Sequence, residues 1–436
     1  MYPVEIDQGN RPPRALPPDC RPACIGDLDR RSGRSACRVR RAHPGHRRNC
    51  LRAFNMNNVK APLPTPAVLM AATSYPRDGG DWPGRFIFDL AAALDRTGRA
   101  QVRLWAPPGT LPGRVVSANS ISDSAWLERL AARGGIAHLL RTRPLTGLLH
   151  ARGILSRLRV ACLRHPVDLY HVNWLQLALA LPRDRRPAYI GVLGSDFGLL
   201  RLPGMTRLLQ RALAGRPTLL APNAGWMRAG LEERFGDLAL IEPNPFGVLS
   251  AWFETARAPA TPAEWLVVSR ITRKKLGDLL AWGPGLFGER RPLRLLGPMQ
   301  EDIGLPDWID HRGPTNPDDL RERWFPRVAG LLTLSRHDEG RPQVVLEAMA
   351  AGLAVIASRI PAHADLIRHR ATGWLVDSRD ELAEALAEAE DPRTATTIVA
   401  NARAWVREHI GTWDDTALRC IAGYRQLLGQ VPPHVG

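Results

Sequence analysis

The sequence contains no apolar run long enough to cross a bilayer. A spanning helix needs about 18 consecutive apolar residues, and the longest candidate, residues 169–181, is interrupted by His171, Asn173 and Gln176. The main body also lacks an RNP motif, a zinc-finger spacing followed by a helix, and a strand that combines basic with aromatic residues. These absences predict a cytoplasmic protein that binds no nucleic acid, and they leave peripheral contact with the inner face of the plasma membrane open.

Cysteine is scarce outside the first 55 residues. Four of the six cysteines lie in that segment, and only Cys162 and Cys420 lie in the rest of the chain. Because thiols stay reduced in the cytosol, a cytosolic main body without disulfides is expected.

The first 55 residues differ in composition from the rest of the chain. They hold twelve arginines, no lysine and five acidic residues, and so carry +7 of the net charge of +16. They are rich in proline and have almost no periodic apolar pattern, which predicts a disordered extension over residues 1–63. A zinc site built from Cys20, Cys24, His43 and His46 is the alternative. Since Met56 directly precedes a chain that turns globular, we expect Met56 to be the native initiator.

Beyond the extension, strand-like and helix-like segments alternate in two series. The first opens with an apolar strand, a Gly-rich loop, an amphipathic helix ending at Gly98 and a strand at 101–107, which together form a βαβ unit. The second opens with a strand at 264–270 and a helix at 275–282. The pattern predicts two Rossmann-like doubly wound α/β domains facing a cleft, over residues 64–254 and 264–412, with a linker at 255–263 and a terminal helix at 413–430.

The stretch EGRPQVVLEAMAAG, residues 339–352, places two glutamates around the start of a helix. Glu339 lies in the loop after the predicted strand 331–335, where ligands bind in open parallel sheets, and Glu347 lies about a turn and a half into the helix. Free amides at this positive helix end would suit a phosphate; they belong to Gly340, Arg341, Gln343 and Val344. The stretch thus offers a carboxylate for a sugar hydroxyl, a cradle for a diphosphate and a carboxylate for a ribose, although either glutamate alone would be an ordinary surface residue.

A basic cluster follows the first strand of the second series. In SRITRKKLGD, residues 269–278, Arg270 and Lys275 lie five positions apart at the carboxyl edge of that strand. Arginine through its planar fork and lysine as a point charge can neutralise a diphosphate there. The sequence shows no Asp-x-Asp pair in a convincing metal-binding context, so no metal requirement and no cofactor are expected.

As a set, these motifs resemble those of the retaining family-four glycosyltransferases of the GT-B fold. The resemblance rests on Arg270 and Lys275 followed by LGDLL, on Glu339 and Glu347 in EGRPQVVLEAMAAGLAVIAS, and on SYPRDGGDWPGRF, LGSDFGLL and PNPFG upstream; it covers roughly residues 66–429. It implies a nucleotide-sugar donor in the second domain, an acceptor in the first, and a last helix that returns to the first domain.

The resemblance also implies a role for each site residue. Arg270 and Lys275 would bind the diphosphate and stabilise the leaving group, Glu347 would bind the ribose hydroxyls, and Glu339 would contact the donor sugar. Backbone amides after Glu339 would complete the phosphate site. Two glycines of the first loop would let the backbone approach the donor or acceptor across the cleft; these are Gly79 and Gly80.

One position departs from the family pattern. Many members carry histidine where this chain has Leu193, so the role of that histidine does not transfer. Asp196 in the same loop would orient the acceptor hydroxyl, with a turn or cap role as the equal alternative. His171 and His337 are ambiguous between substrate contact and structure.

The expected reaction moves a sugar to a saccharide or lipid-linked acceptor in the synthesis of a cell-surface polysaccharide or glycolipid. A catalytically inactive nucleotide-sugar-binding protein and a nucleotide-sugar epimerase are the alternatives. A basic helix-like segment could dock on anionic lipid or be a solvated face; its arginines are Arg152, Arg157, Arg159 and Arg164.

Overall fold

The first sheet of the computed structural model, which describes residues 65–81, 83–337 and 339–429, is fully parallel. Its central strands are buried on both faces, which explains their nearly unbroken apolar sequences. The strands are β1 (Ala67–Ala71), β2 (Gln101–Trp105), β3 (Val116–Ser117), β4 (Leu169–Asn173), β5 (Ala188–Val192), β6 (Thr218–Pro222) and β7 (Leu240–Ile241). Their order is β3-β2-β1-β4-β5-β6-β7, so the winding reverses between β1 and β4.

Helices connect these strands. Ser120 caps one of them, α2, through a reciprocal capping box with Asp123. The helices are α1 (Arg85–Thr97), α2 (Ile121–Ala132), α3 (Gly135–Thr142), α4 (Pro144–Arg164), α5 (Ser195–Gly198), α6 (Met205–Leu213) and α7 (Arg228–Phe235), with 3-10 turns at Leu175–Ala180, Leu199–Arg201, Gly225–Met227 and Ser250–Glu254.

The second sheet repeats this design with six parallel strands. They are β8 (Trp265–Val268), β9 (Leu293–Leu296), β10 (Ile309–Gly313), β11 (Gly330–Thr333), β12 (Ala354–Ser358) and β13 (Trp374–Val376). Their order is β10-β9-β8-β11-β12-β13, and the winding reverses between β8 and β11. Crevices beside the carboxyl ends of such switch strands are where open α/β sheets bind ligands.

The helices of the second sheet are shorter on average. They are α8 (Arg273–Leu276), α9 (Leu279–Trp282), α10 (Pro317–Asp319), α11 (Gln343–Ala350), α12 (Pro361–Ala364), α13 (Arg379–Glu390) and α14 (Pro392–Trp405), with π-helical turns at Leu320–Trp324 and Val406–Ile410. Each sheet carries an apolar cluster on both faces, which gives every sheet a three-layer arrangement.

The last helix, α15 (Trp413–Gly429), packs against α1 of the first sheet. Tyr424 in α15 bonds His171 of β4, with 2.5 Å between the Tyr424 hydroxyl and His171 Nδ1, and Arg96 of α1 pairs with Asp414 at 2.6 Å. Burial lowers the pKa of His171 to about 3, so this histidine is neutral and structural.

The chain crosses between the two sheets twice, and the crossings lie side by side. Val248, on the way out of the first sheet, donates to Gly411 O, and Trp413, on the way back, donates to Val248 O. Gln343 Nε2 of α11 donates to Gly247 O at 2.7 Å beside them. The two crossings therefore form one hydrogen-bonded seam.

Two features of the second sheet differ from the sequence prediction. The helix predicted over 275–282 is divided into α8 and α9 by Gly277, which has a φ of 55°, and whose missing Cβ would overlap Leu334 O. Strands β10 and β13 were not predicted, because β13 has only three residues and β10 carries Asp310, His311 and Arg312.

Some predictions fall outside the residues that the structure describes. These concern the extension over 1–63 with its four cysteines, Met56 as the initiator, and the end of the terminal helix at residue 430. In the described ranges, no helix combines the length and apolar character needed to cross a membrane.

Candidate functional site

The predicted site residues of the second sheet lie at its switch point. Arg270 follows β8, Lys275 lies in α8, and Glu339 follows β11, the two strands between which the winding reverses. All three lie close to His337. Burial lowers the pKa of His337, the charges of Lys275 and Arg270 lower it further, and the charge of Glu339 raises it. The sheet topology thus brings together the motifs that the sequence separates by about 70 residues.

Glu339 and Lys275 form an ion pair in this structure. Lys275 Nζ lies 2.6 Å from Glu339 Oε1, and Ser335 Oγ donates to the same oxygen at 3.0 Å. Burial tends to raise the pKa of Glu339, but the charge and hydrogen bond of Lys275 outweigh it, together with smaller effects of His363 and Ser335, so the pKa is lowered. Glu339 is therefore ionised and held by a cation at the predicted diphosphate edge.

Helix α11 begins beside this pair. Pro342, predicted in the first turn, is the residue that precedes the helix, and the first helical residues are Gln343 and Val344. Their amides are at the start of the helix, where anions are favoured. Both residues line a cavity of about 290 Å³ between the two sheets, as do Arg270 and Glu347.

Glu347 faces this cavity without a partner. Among the residues that the structure describes, its carboxyl makes no hydrogen bond or ion pair. Burial raises the pKa of Glu347, and the nearby charge of Asp89 raises it further, to about 8. A carboxyl kept in a desolvated cavity without a protein donor has capacity to accept a hydrogen bond from a ligand hydroxyl.

Gly340 and Arg341 do not lie on the wall of this cavity. Gly340 is buried against the first sheet: a Cβ on Gly340 would overlap the Leu193 carbonyl, and a Cβ on Gly194, which has a φ of 110°, would overlap Gly340. The Arg341 side chain is buried and pairs with Asp365 Oδ2 at 2.6 Å. Gly340 thus contacts the first sheet and Arg341 holds Asp365, and the role of their amides in a diphosphate site stays a prediction.

This junction includes residues that the sequence did not reveal. Asp365 accepts hydrogen bonds from the amides of Gly225 and Trp226, and Trp226 Nε1 donates to Gly340 O at 2.8 Å. Because Asp365 belongs to the second sheet and Trp226 to the first, the contact depends on tertiary structure, and no local pattern marks it.

Asp196 occupies a structural position. It is buried, Oδ2 accepts from the amide of Leu175 at 2.8 Å, and Oδ1 accepts from the amides of Leu193 and Gly194, each at 2.8 Å. With both oxygens engaged by the backbone, Asp196 is the turn-capping residue, and the predicted contact with an acceptor hydroxyl does not fit its position. Leu193 presents its carbonyl to Gly340 at the same place.

The glycines of the first loop lie outside the cavity. Gly79 and Gly80 are exposed, neither has a positive φ, and neither lines the cavity, and their approach to a donor or acceptor stays a prediction. The position that requires glycine is Gly84, which precedes α1 with a φ of 73° and lies against the backbone of Ser74. Gly79 contributes its carbonyl, which accepts from Arg85 Nη1 at 2.9 Å.

Helix α1 supplies cavity residues that the sequence analysis missed. Arg85, Phe86 and Asp89 line the same cavity as Glu347, from the side of the first sheet. The sequence pattern that could have predicted them is Arg85 followed four residues later by Asp89 on the helix after the Gly-rich loop. Because ordinary surface helices show the same pattern, it did not stand out. His363 of α12 was missed as well; its Nδ1 lies 2.8 Å from Ser358 O, and its buried Nε2 has no partner within the described ranges.

No group of three or more His, Cys, Asp or Glu side chains that could hold a metal ion occurs in the part of the chain that the structure describes. The polar groups around the cavity are instead the cations Arg85 and Arg270 and the carboxyls Asp89 and Glu347. This set suits a ligand that carries both negative charge and hydroxyl groups.

Residues 301–405, which include α11 and Glu339, match the protein family described as Glycosyl transferases group 1. The chain is 30% identical over 171 residues to D-inositol 3-phosphate glycosyltransferase of Acidothermus cellulolyticus, a match that spans 38% of this chain and 37% of that protein. It is 27% identical over 326 residues to GDP-mannose-dependent alpha-(1-6)-phosphatidylinositol monomannoside mannosyltransferase of Mycobacterium tuberculosis, over 66% of this chain and 83% of that protein.

Among solved structures, sucrose-phosphate synthase of Thermosynechococcus elongatus has a similar fold. The TM-score is 0.62 at 17% identity, and the match covers 84% of this chain and 100% of that one. At this identity the likeness shows the fold, which is the two-sheet GT-B arrangement, and the predicted fold class is confirmed.

Proposed function

We propose that this chain, a member of the glycosyl transferases group 1 family, is a retaining, metal-independent glycosyltransferase that moves a sugar from a nucleotide-diphosphate sugar to a saccharide or lipid-linked acceptor. The observation that carries the proposal is the cavity of about 290 Å³ at the switch point, where Arg270, the first turn of α11 and Glu347 converge. The similarity to enzymes named as glycosyltransferases supports the same reaction class.

The side chains suit the breaking of a sugar–diphosphate bond. As the bond from the sugar C1 to the phosphate oxygen breaks, negative charge develops on the diphosphate. Arg270 and the amino end of α11 would stabilise that charge, and Lys275 would join them once a phosphate competes with Glu339 for its ammonium group. Glu339, anchored by Ser335 Oγ, would then accept a hydrogen bond from a hydroxyl of the donor sugar.

Metal independence and retention are parts of this proposal with separate tests. The supporting observation for the first is that protein cations lie where a metal would otherwise neutralise the diphosphate. Retention is supported by the resemblance in the paired glutamates. Transfer in the presence of EDTA tests the first, and the anomeric configuration of the product, read by NMR, tests the second.

The first experiment is a thermal-shift panel of UDP, GDP, ADP and TDP with their common sugars on the full chain, with and without EDTA. A ligand at about 100 times its Kd adds roughly 2.7 kcal/mol of stability. We expect one nucleotide family to stabilise the protein and Arg270→Ala to abolish the effect. Arg290→Ala, an exposed arginine just before β9 and so at the opposite edge of the sheet, is the matched control. If no nucleotide shifts the folded protein, the proposal fails.

Turnover separates the enzyme from its alternatives. Release of free nucleotide diphosphate together with a glycosylated acceptor supports the transferase. Binding without turnover on any saccharide or lipid-linked acceptor would favour an inactive nucleotide-sugar-binding protein, and an altered donor sugar without transfer would favour an epimerase.

We further propose that the enzyme contacts an anionic membrane through the corner between α3 and α4. Most of the arginines first considered for this role have protein partners: Arg157 and Arg164 pair with Asp123 at 3.0 and 3.7 Å, and Arg159 donates to Leu181 O. These three have contacts within the fold, although Arg159 and Arg164 are exposed; Arg152 is exposed and has no partner among the described residues.

The corner instead exposes leucines next to arginines. Leu145, Leu148 and Leu149 are 80%, 61% and 72% exposed, and residues 129–167 contain no acidic residue. Exposed apolar side chains within a basic stretch are typical of surfaces that bind anionic lipid. This surface would bring the acceptor side of the enzyme to a lipid-linked substrate.

Vesicle sedimentation tests this contact. We expect the full chain to bind vesicles that contain phosphatidylglycerol in low salt and to bind pure phosphatidylcholine vesicles weakly. The double variant Leu145→Gln, Leu149→Gln should lose most of the binding, whereas Leu418→Gln, an exposed leucine of α15, should not. Equal sedimentation of both variants with the unaltered protein would refute the contact.

A further inference from the structure

On the side of the first sheet, the cavity is lined by a carboxyl group, that of Asp89, with one oxygen that accepts no hydrogen bond from the described residues. Asp89 of α1 is largely buried, and its Oδ1 accepts from Arg85 Nε at 3.1 Å. Its Oδ2 accepts no hydrogen bond within the described ranges. Arg85 has two further contacts: its Nη1 donates to Gly79 O, and its guanidinium carbon lies over the Phe88 ring, 5.1 Å from the centroid.

Asp89 and Glu347 share this cavity from opposite sides. Both line it, one from the first sheet and one from the second, and the charge of Asp89 acts on Glu347. Burial and the charge of Asp89 raise the pKa of Glu347 to about 8, and a ligand that donates hydrogen bonds to both carboxyls relieves their repulsion. The nearest cation, Arg85, is already engaged by Asp89 and Gly79.

The missing donors identify the kind of ligand group. In either protonation state a carboxyl keeps an oxygen that accepts a hydrogen bond from a hydroxyl group, and when ionised it repels a phosphate. A vicinal diol presents two adjacent O–H donors, one for each carboxyl. The anionic part of the same ligand has its own partners on the other wall, at Arg270 and the amino end of α11. A ribose attached to a diphosphate combines these two kinds of group in one ligand.

We propose that Asp89 and Glu347 bind the ribose diol of the donor nucleotide together, one carboxyl from each sheet, so that Asp89 determines the preference for ribonucleotides over 2′-deoxyribonucleotides. This inference rests on the proposed function, and it adds a residue of the first sheet to donor recognition. Arg85 is then a positioning residue that holds Asp89 Oδ1 and leaves Oδ2 for the ligand.

The test compares ribonucleotides with their deoxy counterparts. Titration calorimetry on the full chain would use UDP, GDP and ADP, each beside its 2′-deoxy form. A hydrogen bond to a charged group changes affinity by about 10- to 100-fold. We therefore expect the unaltered protein to bind the ribonucleotide at least about 10-fold more tightly than its 2′-deoxy form. Asp89→Asn should weaken binding of the ribonucleotide and reduce that preference to a few fold.

Controls keep failure of this inference distinct from failure of the proposed function. Asp95→Asn removes a carboxyl of the same helix that pairs with Arg114 outside the cavity, and it should keep the preference. Asp89→Ser is measured beside Asp89→Asn, so that a folding defect in one variant does not decide the outcome. If a ribonucleotide binds and both Asp89 variants keep the full preference, the inference is overturned while the transferase proposal stands. If no nucleotide binds the unaltered chain, both are overturned.

Discussion

The protonation of Glu347 makes the stability of this protein depend on pH in an unusual direction. The pKa of its carboxyl rises from an ordinary value of 4.5 to about 8, because of burial and of Asp89. Between these two values the folded protein holds a proton that the unfolded chain has released, so the free energy of unfolding falls as pH rises. Most carboxylates in proteins act in the opposite sense.

The size of the effect follows from the shift. Between pH 5.5 and 8.5 a single group with these two pKa values removes about 3 kcal/mol of stability. Glu347 is partly exposed to the cavity, so screening by water reduces this to about 1.5 kcal/mol. Because glutamine cannot ionise, Glu347→Gln should lack this contribution. Between pH 5.5 and 8.5 its free energy of unfolding should fall by about 1.5 kcal/mol less than that of the unaltered protein.

Urea denaturation at pH 5.5 and 8.5 measures this difference directly. Other groups that titrate in this range contribute equally to both proteins and cancel in the comparison. Glu289→Gln, an exposed glutamate without an ion pair or hydrogen bond among the described residues, should behave like the unaltered chain. If Glu347→Gln shows the same pH dependence as the unaltered chain, Glu347 is already ionised in the folded state and the reasoning is refuted.

Three further predictions concern the fold around the site, each measured as a free energy of unfolding in urea. Asp365→Ala should cost about 3–5 kcal/mol, because it leaves the buried Arg341 guanidinium unpaired. Lys275→Met should cost a similar amount at pH 7 and less at pH 5. Burial alone would raise the pKa of Glu339, and Lys275 is the main group that lowers it, so without this lysine the carboxyl can take up a proton as pH falls. Gly84→Ala should cost more than about 1 kcal/mol, because φ is 73° there and the new Cβ would overlap the neighbouring backbone.

Each of these variants has a matched control. Asp377→Ala removes an exposed carboxylate that pairs with Arg359 at 2.6 Å, and should cost less than about 1 kcal/mol. Lys274→Met alters the neighbouring exposed lysine, and Gly79→Ala adds a Cβ in open space. Equal losses in a variant and its control would show that the named contact is not the cause. A Lys275→Met cost that does not change between pH 5 and pH 7 would contradict the assignment to Glu339.

Much of the fold could be predicted from the sequence because both sheets are parallel and buried. Strands such as Ala188–Val192 and Ala354–Ser358 are almost entirely apolar and buried, as expected for the central strands of a parallel sheet. The edge strand Ile309–Gly313 could not be predicted, since a sheet edge needs little apolar sequence and three of its five residues are polar. The break at Gly277 was hidden because its cause is the carbonyl of Leu334, more than 50 positions away.

The candidate site divides in the same way. Arg270, Lys275, Glu339 and Glu347 follow strands of one sheet, and a parallel topology brings the carboxyl ends of switch strands together. Contacts between the two sheets cannot be read from a local sequence pattern in this way. Asp89 reaches the cavity of the second sheet only because α1 faces it.

The seam formed by the two chain crossings has a mechanical consequence. Because Val248 is hydrogen-bonded to both Gly411 and Trp413, the two chain segments that connect the sheets act as one hinge rather than as two independent linkers. Rotation about that line would keep these hydrogen bonds, but it would have to break the contacts of Asp365 and Trp226 that join the two halves elsewhere. Its amplitude is then a single angle, and one pair of spin labels placed across the cleft would be enough to follow it.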